Sequence, residues 1–198
     1  RALVQDEDRF LVPRVHDDFT TRRILAMDYV SGEPLESLGE EGVAQELRNS
    51  IATLLETLLF RELFEFRTMQ TDPNFANYLY RPEDGRIVLL DFGSTITFDK
   101  EFTDRYRQIS KALIEENDGA VRHYAEQIGY LDPKDSSAHA ERILEVIRVV
   151  CEPIREDSVY DFGASDMTVR ARDAGMELAL KSRGELRTPP PDTVFLHR

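Results

Sequence analysis

The sequence predicts an α+β fold that is mainly helical and carries two small β-hairpins. Beyond residue 40, apolar residues recur every three to four positions, which is typical of amphipathic helices. Two pairs of short apolar runs flank turn-forming residues at 16–21 and 82–85, as the strands of a hairpin do. No stretch reaches the roughly 18 consecutive apolar residues of a membrane-spanning helix, so we expect none within this chain.

The first third of the chain predicts a hairpin, a linker, a long helix and a loop, in that order. Apolar and β-branched runs at 10–15 and 22–30 predict the two strands of the hairpin. A glycine and a proline then interrupt the pattern and predict a linker at 31–34. The helical period runs through 40–66 and predicts the longest helix. Asx residues and a proline at 70–74 favour a loop after it.

The rest of the chain predicts a second hairpin followed by helices. Short apolar runs at 78–80 and 87–90 flank a Pro-Glu-Asp-Gly turn and predict the smaller hairpin. From 102 to 180 the apolar period is mostly helical. Three consecutive prolines at 189–191 cannot continue a helix and predict an extended segment.

Composition and charge exclude several classes of function. With 198 residues, the chain is long enough for one ordinary domain or for one lobe of a larger one. Its 38 acidic and 25 basic residues give a net charge of −13, which would repel a phosphate backbone, so we expect no nucleic acid partner. The single cysteine, Cys151, excludes an intrachain disulfide and a cysteine-cluster zinc site, and we expect it to be a buried thiol.

Three oxygen-bearing side chains cluster around the second hairpin. Asp72 lies in the loop before its first strand, Asn77 lies at the start of that strand, and Asp91 directly follows the second strand. Because a tight hairpin brings its outer ends together, we expect Asn77 and Asp91 to face each other with Asp72 close by. Carboxylate and amide oxygens suit Mg²⁺, whose octahedral shell phosphates and waters complete. Gly93 permits backbone angles that would turn the Asp91 carboxylate into a cleft.

These residues carry a resemblance to a known family. Residues 72–77 and 87–93 resemble the catalytic loop (D-x4-N) and the metal-binding Asp-Phe-Gly of the protein-kinase-like fold. Gln-Thr-Asp at 70–72 replaces the usual His-Arg-Asp, and this wording resembles the UbiB/AarF family of atypical kinases. Further segments are similar to the same family, especially to its coenzyme Q branch: residues 12–13, 27–34, 61–66, 189–192 and 195–198.

The resemblance implies a lobe of a two-lobed protein. Residues 1–30 would be the end of the N-lobe, with its fourth and fifth strands and the hinge, and residues 31–198 would be the helical C-lobe with the catalytic loop and Asp-Phe-Gly. The third-strand lysine that holds the α- and β-phosphates of ATP, and its partner glutamate on helix C, do not occur in this chain. We therefore expect the chain alone to bind Mg-ATP weakly and to be inactive.

The resemblance also implies where the adenine of ATP would bind. Met27 would be the gatekeeper, and the backbone of Asp28, Tyr29 and Val30 would be the hinge that hydrogen-bonds adenine. The cofactors would be ATP and Mg²⁺. Cofactor binding would then involve these hinge residues together with the residues around the second hairpin.

At that hairpin the resemblance gives each residue a role. Asp72 would be the catalytic carboxylate, which orients or deprotonates an attacking hydroxyl or water. Asn77 and Asp91 would hold Mg²⁺ across the β- and γ-phosphates and so neutralise charge during phosphoryl transfer. Gly93 would give the Asp-Phe-Gly segment its turn.

The implied function is that of an atypical kinase or ATPase that supports ubiquinone (coenzyme Q) biosynthesis. Few residues separate Gly93 from the helix predicted near Glu101, too few for the activation segment with which protein kinases dock a peptide. The acceptor would be a small or lipid-linked molecule, or water. Partners would be quinone-biosynthesis enzymes and lipid or isoprenoid quinone intermediates. The location would be cytoplasmic or peripheral to an inner membrane, and mitochondrial in a eukaryote.

Two alternatives remain at this point. The chain could be a non-catalytic scaffold that binds nucleotide or lipid and organises quinone-biosynthesis enzymes, or an acidic helical domain that binds no nucleotide. The chain also carries a second Asp-Phe-Gly, at 161–163. No apolar strand precedes this copy and no D-x4-N lies at a suitable distance before it, so we expect a turn between helices there.

Overall fold

Helices make up most of the second half of the chain, and two small sheets lie in the first half. The structure is a computed structural model that describes residues 2–72, 74–182, 184–188 and 193. Residues 1–97 and 98–198 form two compact units. The architecture is the α+β arrangement that the sequence predicts, whereas the expected lobe boundary after residue 30 stays a prediction.

The first unit contains six short strands and one long helix. In chain order these are β1 (Phe10–Leu11), β2 (Glu33–Pro34), α1 (Gln45–Arg61), β3 (Thr68–Gln70), β4 (Tyr78–Arg81), β5 (Arg86–Leu89) and β6 (Thr95–Thr97). Single turns of 3-10 helix occupy Ala2–Val4, Asp17–Phe19, Leu35–Gly39 and Phe75–Asn77, and a π-helical turn, Glu62–Phe66, extends α1.

The second hairpin is confirmed and is the centre of a four-stranded sheet with the order β1-β5-β4-β2. β4 and β5 pair antiparallel, with Tyr78 opposite Leu89 and Arg81 opposite Arg86. The turn between them depends on Gly85, whose φ of +69° lies in the left-handed region that side chains with a Cβ rarely adopt. β1 adds parallel to β5, and β2 adds antiparallel to β4.

The first hairpin is less regular than predicted. Residues 14–16 and 26–28 do approach antiparallel, since the His16 N–H donates to the Ala26 carbonyl at 2.8 Å and the Asp28 N–H donates to the Arg14 carbonyl at 2.9 Å. Regular pairing does not extend over 10–15 and 22–30, where only isolated bridges form among the described residues. Pro13 has no N–H to donate, and the residues before it, β1, pair with β5 instead.

Three other expected boundaries are corrected. The linker expected at 31–34 contains β2, so it is partly an edge strand. The loop expected at 70–74 begins inside β3, which pairs antiparallel with β6. The helix expected from residue 40 begins at Gln45. The predicted extended segment at 189–191 lies outside the described residues.

The core of the first unit lies between α1 and one face of the four-stranded sheet. Its members are buried apolar side chains from α1, from the sheet and from the 3-10 turn that begins at Leu35: Phe10, Leu35, Ile51, Leu54, Leu58, Tyr80, Ile87 and Leu89. Burial of such side chains contributes about 1.5–3 kcal/mol each relative to exposure. This packing fixes the hairpin against the long helix and so fixes the loops at the hairpin's outer end.

The second unit is helical, as the period of the sequence predicts. Its helices are α2 (Lys100–Ile114), α3 (Asp118–Ile128), α4 (Ser137–Val150), α5 (Glu152–Arg155) and α6 (Met167–Lys181). Asn117 and Ser136 cap α3 and α4, because each side-chain oxygen accepts a backbone N–H of the first turn. Cys151 is partly buried, and burial raises the pKa of its thiol to about 11. Among the described helices, none has the length and apolar character needed to cross a membrane.

Gly32, which directly precedes β2, gives a test of this fold. A Cβ on Gly32 would lie 2.8 Å from the Leu79 Cβ and 3.0 Å from the Tyr80 carbonyl oxygen of β4. We expect Gly32→Ala to lower the free energy of unfolding by about 1–3 kcal/mol, because the added methyl group overpacks against backbone. Urea unfolding measures this. Gly39→Ala is the matched control, since a Cβ there meets no atom within 4 Å.

Candidate functional site

Asn77 and Asp91 flank the paired ends of the second hairpin. Asn77 ends the 3-10 turn before β4, and Asp91 follows β5 after one further residue. The Leu90 N–H donates to the Asn77 carbonyl at 3.0 Å, so the residue before Asp91 is bonded directly to Asn77. Asn74 caps the 3-10 turn by accepting the Ala76 N–H. The amide and the carboxylate therefore stand at the outer ends of two paired strands.

Asp72 is held near these ends by backbone hydrogen bonds on both of its sides. The Asn74 N–H donates to the Asp72 carbonyl at 2.8 Å, and the Asn77 N–H donates to the Asn74 carbonyl at 2.9 Å. On the other side, the N–H and the hydroxyl of Thr71 both donate to the Ser94 carbonyl, at 3.0 and 2.6 Å. The loop that carries Asp72 is thus bonded to the segment that follows Asp91-Phe92-Gly93.

The Asp91 carboxylate is oriented by its own turn. Its Oδ1 accepts the Gly93 N–H at 2.7 Å, which leaves Oδ2 outside that bond. Gly93 does not adopt a positive φ, so the expectation that it supplies unusual backbone angles is not what the structure shows. The requirement is one of space, because a Cβ at Gly93 would lie 3.1 Å from Asp91 Oδ1.

The second Asp-Phe-Gly forms the same local turn in a different setting. Asp161 Oδ1 accepts the N–H groups of Gly163 and Ala164 at 2.9 and 3.1 Å. The segment connects α5 to α6, as expected, and no described strand adjoins it. The tripeptide alone therefore specifies only an Asx turn. What distinguishes Asp91 is the hairpin that places it beside Asn77 and Asp72.

Gln70 is a site residue to which sequence reasoning gave no role. Its side chain is buried, and its amide joins the two loops: Nε2 donates to the Asp91 carbonyl at 2.7 Å, and Oε1 accepts the Asp72 N–H at 3.1 Å. The signal in the sequence was the substitution of glutamine for the usual histidine before the catalytic-loop aspartate. Its meaning depends on a contact across 21 residues, which spacing does not reveal.

A carboxyl group lies directly behind Gln70. Glu62 Oε2, in the π-helical turn, accepts the Gln70 N–H at 3.2 Å. Burial raises the pKa of Glu62 to about 7, although the bond from Gln70 opposes the shift. The pKa of the neighbouring Tyr78 hydroxyl is raised by burial and by the charges of Glu62 and Asp72. The surroundings of Glu62 and Tyr78 therefore stabilise a negative charge poorly.

The expected adenine segment lies on a different surface of the first unit. Met27 is 40% exposed and Tyr29 is 94% exposed, and Asp28 Oδ1 lies 2.6 Å from His16 Nε2. A groove of about 590 Å³ is lined by Asp28, Tyr29 and Val30 together with Arg86 and residues 4–5, 7–8 and 10–14. Asp72, Asn77 and Asp91 do not line this groove. This groove therefore contains the hinge half of the predicted nucleotide site and not the half at the second hairpin.

The donor set at the hairpin end suits one kind of cation. Among the described residues, no group of three or more His, Cys, Asp or Glu side chains is arranged to hold a metal ion. Two carboxylates and one amide oxygen form a mixed set of hard donors of low charge. Such a set fits Mg²⁺ that brings phosphate oxygens and waters of its own.

Residues 1–125 match the model of the ABC1 atypical kinase-like domain. The chain belongs to this family. The resemblance to UbiB/AarF sequences is thereby confirmed. The matched part includes Asp72, Asn77 and Asp91 and extends through α2 into α3.

Two relatives that this chain matches are named atypical kinases. The chain is 37% identical over 198 residues to the mitochondrial atypical kinase COQ8B of Rattus norvegicus, covering 100% of this chain and 37% of that protein. It is 33% identical over 198 residues to the mitochondrial atypical kinase COQ8 of Saccharomyces cerevisiae, covering 100% of this chain and 39% of that protein. The chain thus spans between a third and two fifths of these two relatives.

A solved structure shows the same fold at low sequence identity. The protein Rv3197 of Mycobacterium tuberculosis, solved in complex with erythromycin, superposes with a TM-score of 0.64 and 19% identity. The match covers 89% of this chain and 49% of that chain. Together with the family match, it confirms that the fold is the protein-kinase-like one that the motifs predict.

The buried carboxyl behind Gln70 should make stability depend on pH. A folded-state pKa of about 7 for Glu62, against an ordinary value of 4.5, means that raising the pH ionises the unfolded chain first and so destabilises the wild type. In Glu62→Gln this loss is removed, while the amide still accepts the Gln70 N–H. We expect the variant's advantage in unfolding free energy to grow by up to about 3 kcal/mol between pH 4.5 and pH 7.

Urea unfolding at pH 5 and pH 8 measures this difference. Glu65→Gln is the matched control from the same turn, because the ion pair with Arg61 lowers the pKa of Glu65 instead of raising it. An equal pH dependence in both variants would contradict the buried character of Glu62.

Proposed function

We propose that this chain is the larger lobe of an atypical kinase or ATPase, in which Asp72, Asn77 and Asp91 act on Mg-ATP. The proposal rests on the hydrogen bonds at the outer end of the second hairpin. The Leu90–Asn77 backbone bond and the bonds of Gln70 bring an amide and two carboxylates together from three positions in the sequence. Membership of the ABC1 atypical kinase-like family supports the assignment.

Each of the three residues has a distinct role in this proposal. Asp91 presents the carboxylate oxygen that its Gly93 bond does not use, and Asn77 presents an uncharged oxygen beside it. Mg²⁺ held there would neutralise charge on the phosphates as the phosphoryl group transfers. Asp72 is half-buried and stands on the adjoining loop, where it orients a hydroxyl group or water and takes its proton.

The adenine is proposed to bind at the hinge segment, through the backbone of Asp28, Tyr29 and Val30 with Met27 as gatekeeper. The Asp28 N–H already donates to Arg14, so its carbonyl is the group of that residue left for a ligand. Relatives are two to three times longer than this chain. We propose that residues outside this chain supply the phosphate-binding lysine and that the chain alone is inactive.

The proposed acceptor is a small or lipid-linked molecule, or water, and not a protein. Only residues 94–99 separate Gly93 from α2, and half of them form β6. Such a segment cannot extend to dock a peptide. Two relatives are named COQ8 and COQ8B and are mitochondrial. We therefore place the activity in coenzyme Q biosynthesis, at a mitochondrial or bacterial inner membrane, with quinone-biosynthesis enzymes and isoprenoid quinone intermediates as partners.

Asp91→Asn in the full-length protein tests the metal role. The change removes the charge that holds Mg²⁺ while it keeps an oxygen that can accept the Gly93 N–H. We expect ATP hydrolysis to fall by roughly 100-fold or more, because metal neutralisation of phosphate charge is worth several kcal/mol. The measurement is release of inorganic phosphate at saturating Mg-ATP.

The chain offers its own control for this experiment. Asp161→Asn alters the second Asp-Phe-Gly, which has the same Asx turn but no adjoining hairpin. Hydrolysis should be unchanged in that variant. If the wild type binds Mg-ATP but releases no phosphate, the non-catalytic scaffold replaces the kinase or ATPase. A thermal melt that no nucleotide shifts would favour a helical domain without nucleotide.

Isothermal titration with Mg-ATP tests the proposed dependence on the missing lysine. We expect the isolated 198 residues to bind more weakly than about 100 µM, because the third-strand lysine that holds the α- and β-phosphates does not occur in this sequence. The full-length protein should bind more tightly under the same conditions. Low-micromolar binding by the isolated chain would contradict the proposal.

A further inference from the structure

We infer that Gln70 is a positioning residue, whose side-chain amide sets the distance between the catalytic carboxylate of Asp72 and the metal carboxylate of Asp91. The inference rests on the proposed function of that site and adds a residue to it. The two loops that bear these carboxylates come from different elements, since one follows β3 and the other follows β5. Gln70 is the last residue of β3 and contacts both.

The two bonds of Gln70 need opposite hydrogen-bonding groups. Asp91 offers a carbonyl, which needs a donor, and Asp72 offers an N–H, which needs an acceptor. The glutamine amide supplies both from one planar group, with Nε2 2.7 Å from the Asp91 oxygen and Oε1 3.1 Å from the Asp72 nitrogen. Because the plane is rigid, fixing one loop fixes the other.

Because Gln70 is buried, the loss of either bond would be costly. The Gln70 side chain is only 9% exposed, so water is poorly placed to replace either bond. Leaving a buried donor or acceptor unpaired costs about 1–3 kcal/mol. The loops would therefore relax to other positions if the amide were lost, and the carboxylates would move with them.

The backbone of Gln70 is also held, so its side chain acts from a fixed base. Its N–H donates to Glu62, and Gln70 pairs with Thr95 in the β3–β6 ladder. One residue further on, Thr71 donates twice to Ser94. A mobile residue could make the same two bonds without setting the distance between the two loops. The backbone of Gln70, by contrast, is held by Glu62 and by its pairing with β6.

Three substitutions separate the amide's chemistry from its bulk. Gln70→Met keeps the length of the side chain and loses both bonds. Gln70→Glu keeps the shape and the acceptor, but its carboxylate has no proton to donate to the Asp91 carbonyl. Gln70→His restores one donor and one acceptor, as a neutral imidazole provides. Gln127→Met is the control, since that glutamine is exposed on α3.

The experiment measures metal binding directly in the full-length protein. Mn²⁺ is titrated in the presence of a non-hydrolysable ATP analogue and followed by electron paramagnetic resonance, with kcat for ATP hydrolysis and the thermal unfolding midpoint measured in parallel. We expect the Met and Glu variants to bind Mn²⁺ roughly tenfold more weakly and to lose roughly tenfold in kcat, as is typical when a partner behind a metal ligand is removed. The His variant should stay within about threefold of the wild type.

Each possible result of this experiment either supports the inference or overturns it. Wild-type Mn²⁺ affinity and kcat in the Met and Glu variants would overturn the inference, provided that Asp91→Asn abolishes both. Loss of stability in all three variants with unchanged Mn²⁺ affinity would overturn it too, because that result shows a structural role only. A His variant as defective as the Met variant would overturn the need for paired donor and acceptor. If the wild type itself binds no Mn²⁺ with nucleotide, the proposed function fails and the inference with it.

Discussion

Pairing between β4 and β5 sets the positions of Asn77 and Asp91, the two groups of the candidate site that lie at the ends of the hairpin. The tight turn at Gly85 sets the register of the two strands, with Tyr78 opposite Leu89 and Arg81 opposite Arg86. Ile87 and Val88, which point to opposite faces of β5, are both completely buried, so separating the strands would expose apolar surface. With the register fixed, Asn77 must lie beside Leu90, and Asp91 must leave the sheet next to it. The turn therefore sets the register, and the hydrophobic core of the first unit keeps the paired strands in place. The oxygens themselves contribute little to holding the hairpin.

A second, smaller sheet brings the loop that carries Asp72 to this hairpin and buries polar groups between them. β3 and β6 flank the two loops, and the amide of Gln70 lies between them. The carboxyl of Glu62 sits behind it in surroundings that disfavour its charge. Native proteins retain such buried polar groups where they are fully bonded and where position matters more than stability. Here Gln70 bonds to both Asp72 and Asp91, and Glu62 bonds to Gln70.

The features that were predictable from the sequence are those that local residues determine. The second hairpin follows from its turn, in which Gly85 takes a positive φ, and the convergence of Asn77 and Asp91 follows from the hairpin. The three-residue strands β3 and β6 were missed, because so short a run carries no period. Gln70 was given no role because its partners are set by the fold. The first hairpin was overpredicted where Pro13 removes a donor.

The π-helical turn at Glu62–Phe66 limits which insertions and deletions this segment can tolerate. The turn closes with the Arg67 N–H on the Glu62 carbonyl, and Arg67 itself is left-handed, with φ 54°. The chain thereby leaves the helix and enters β3 at once. Removing or adding one residue would rotate the helix face by about 100° and carry Glu62 away from Gln70. A change in the length of this segment should therefore disturb the contact between Glu62 and Gln70 more than a change of an exposed side chain in it.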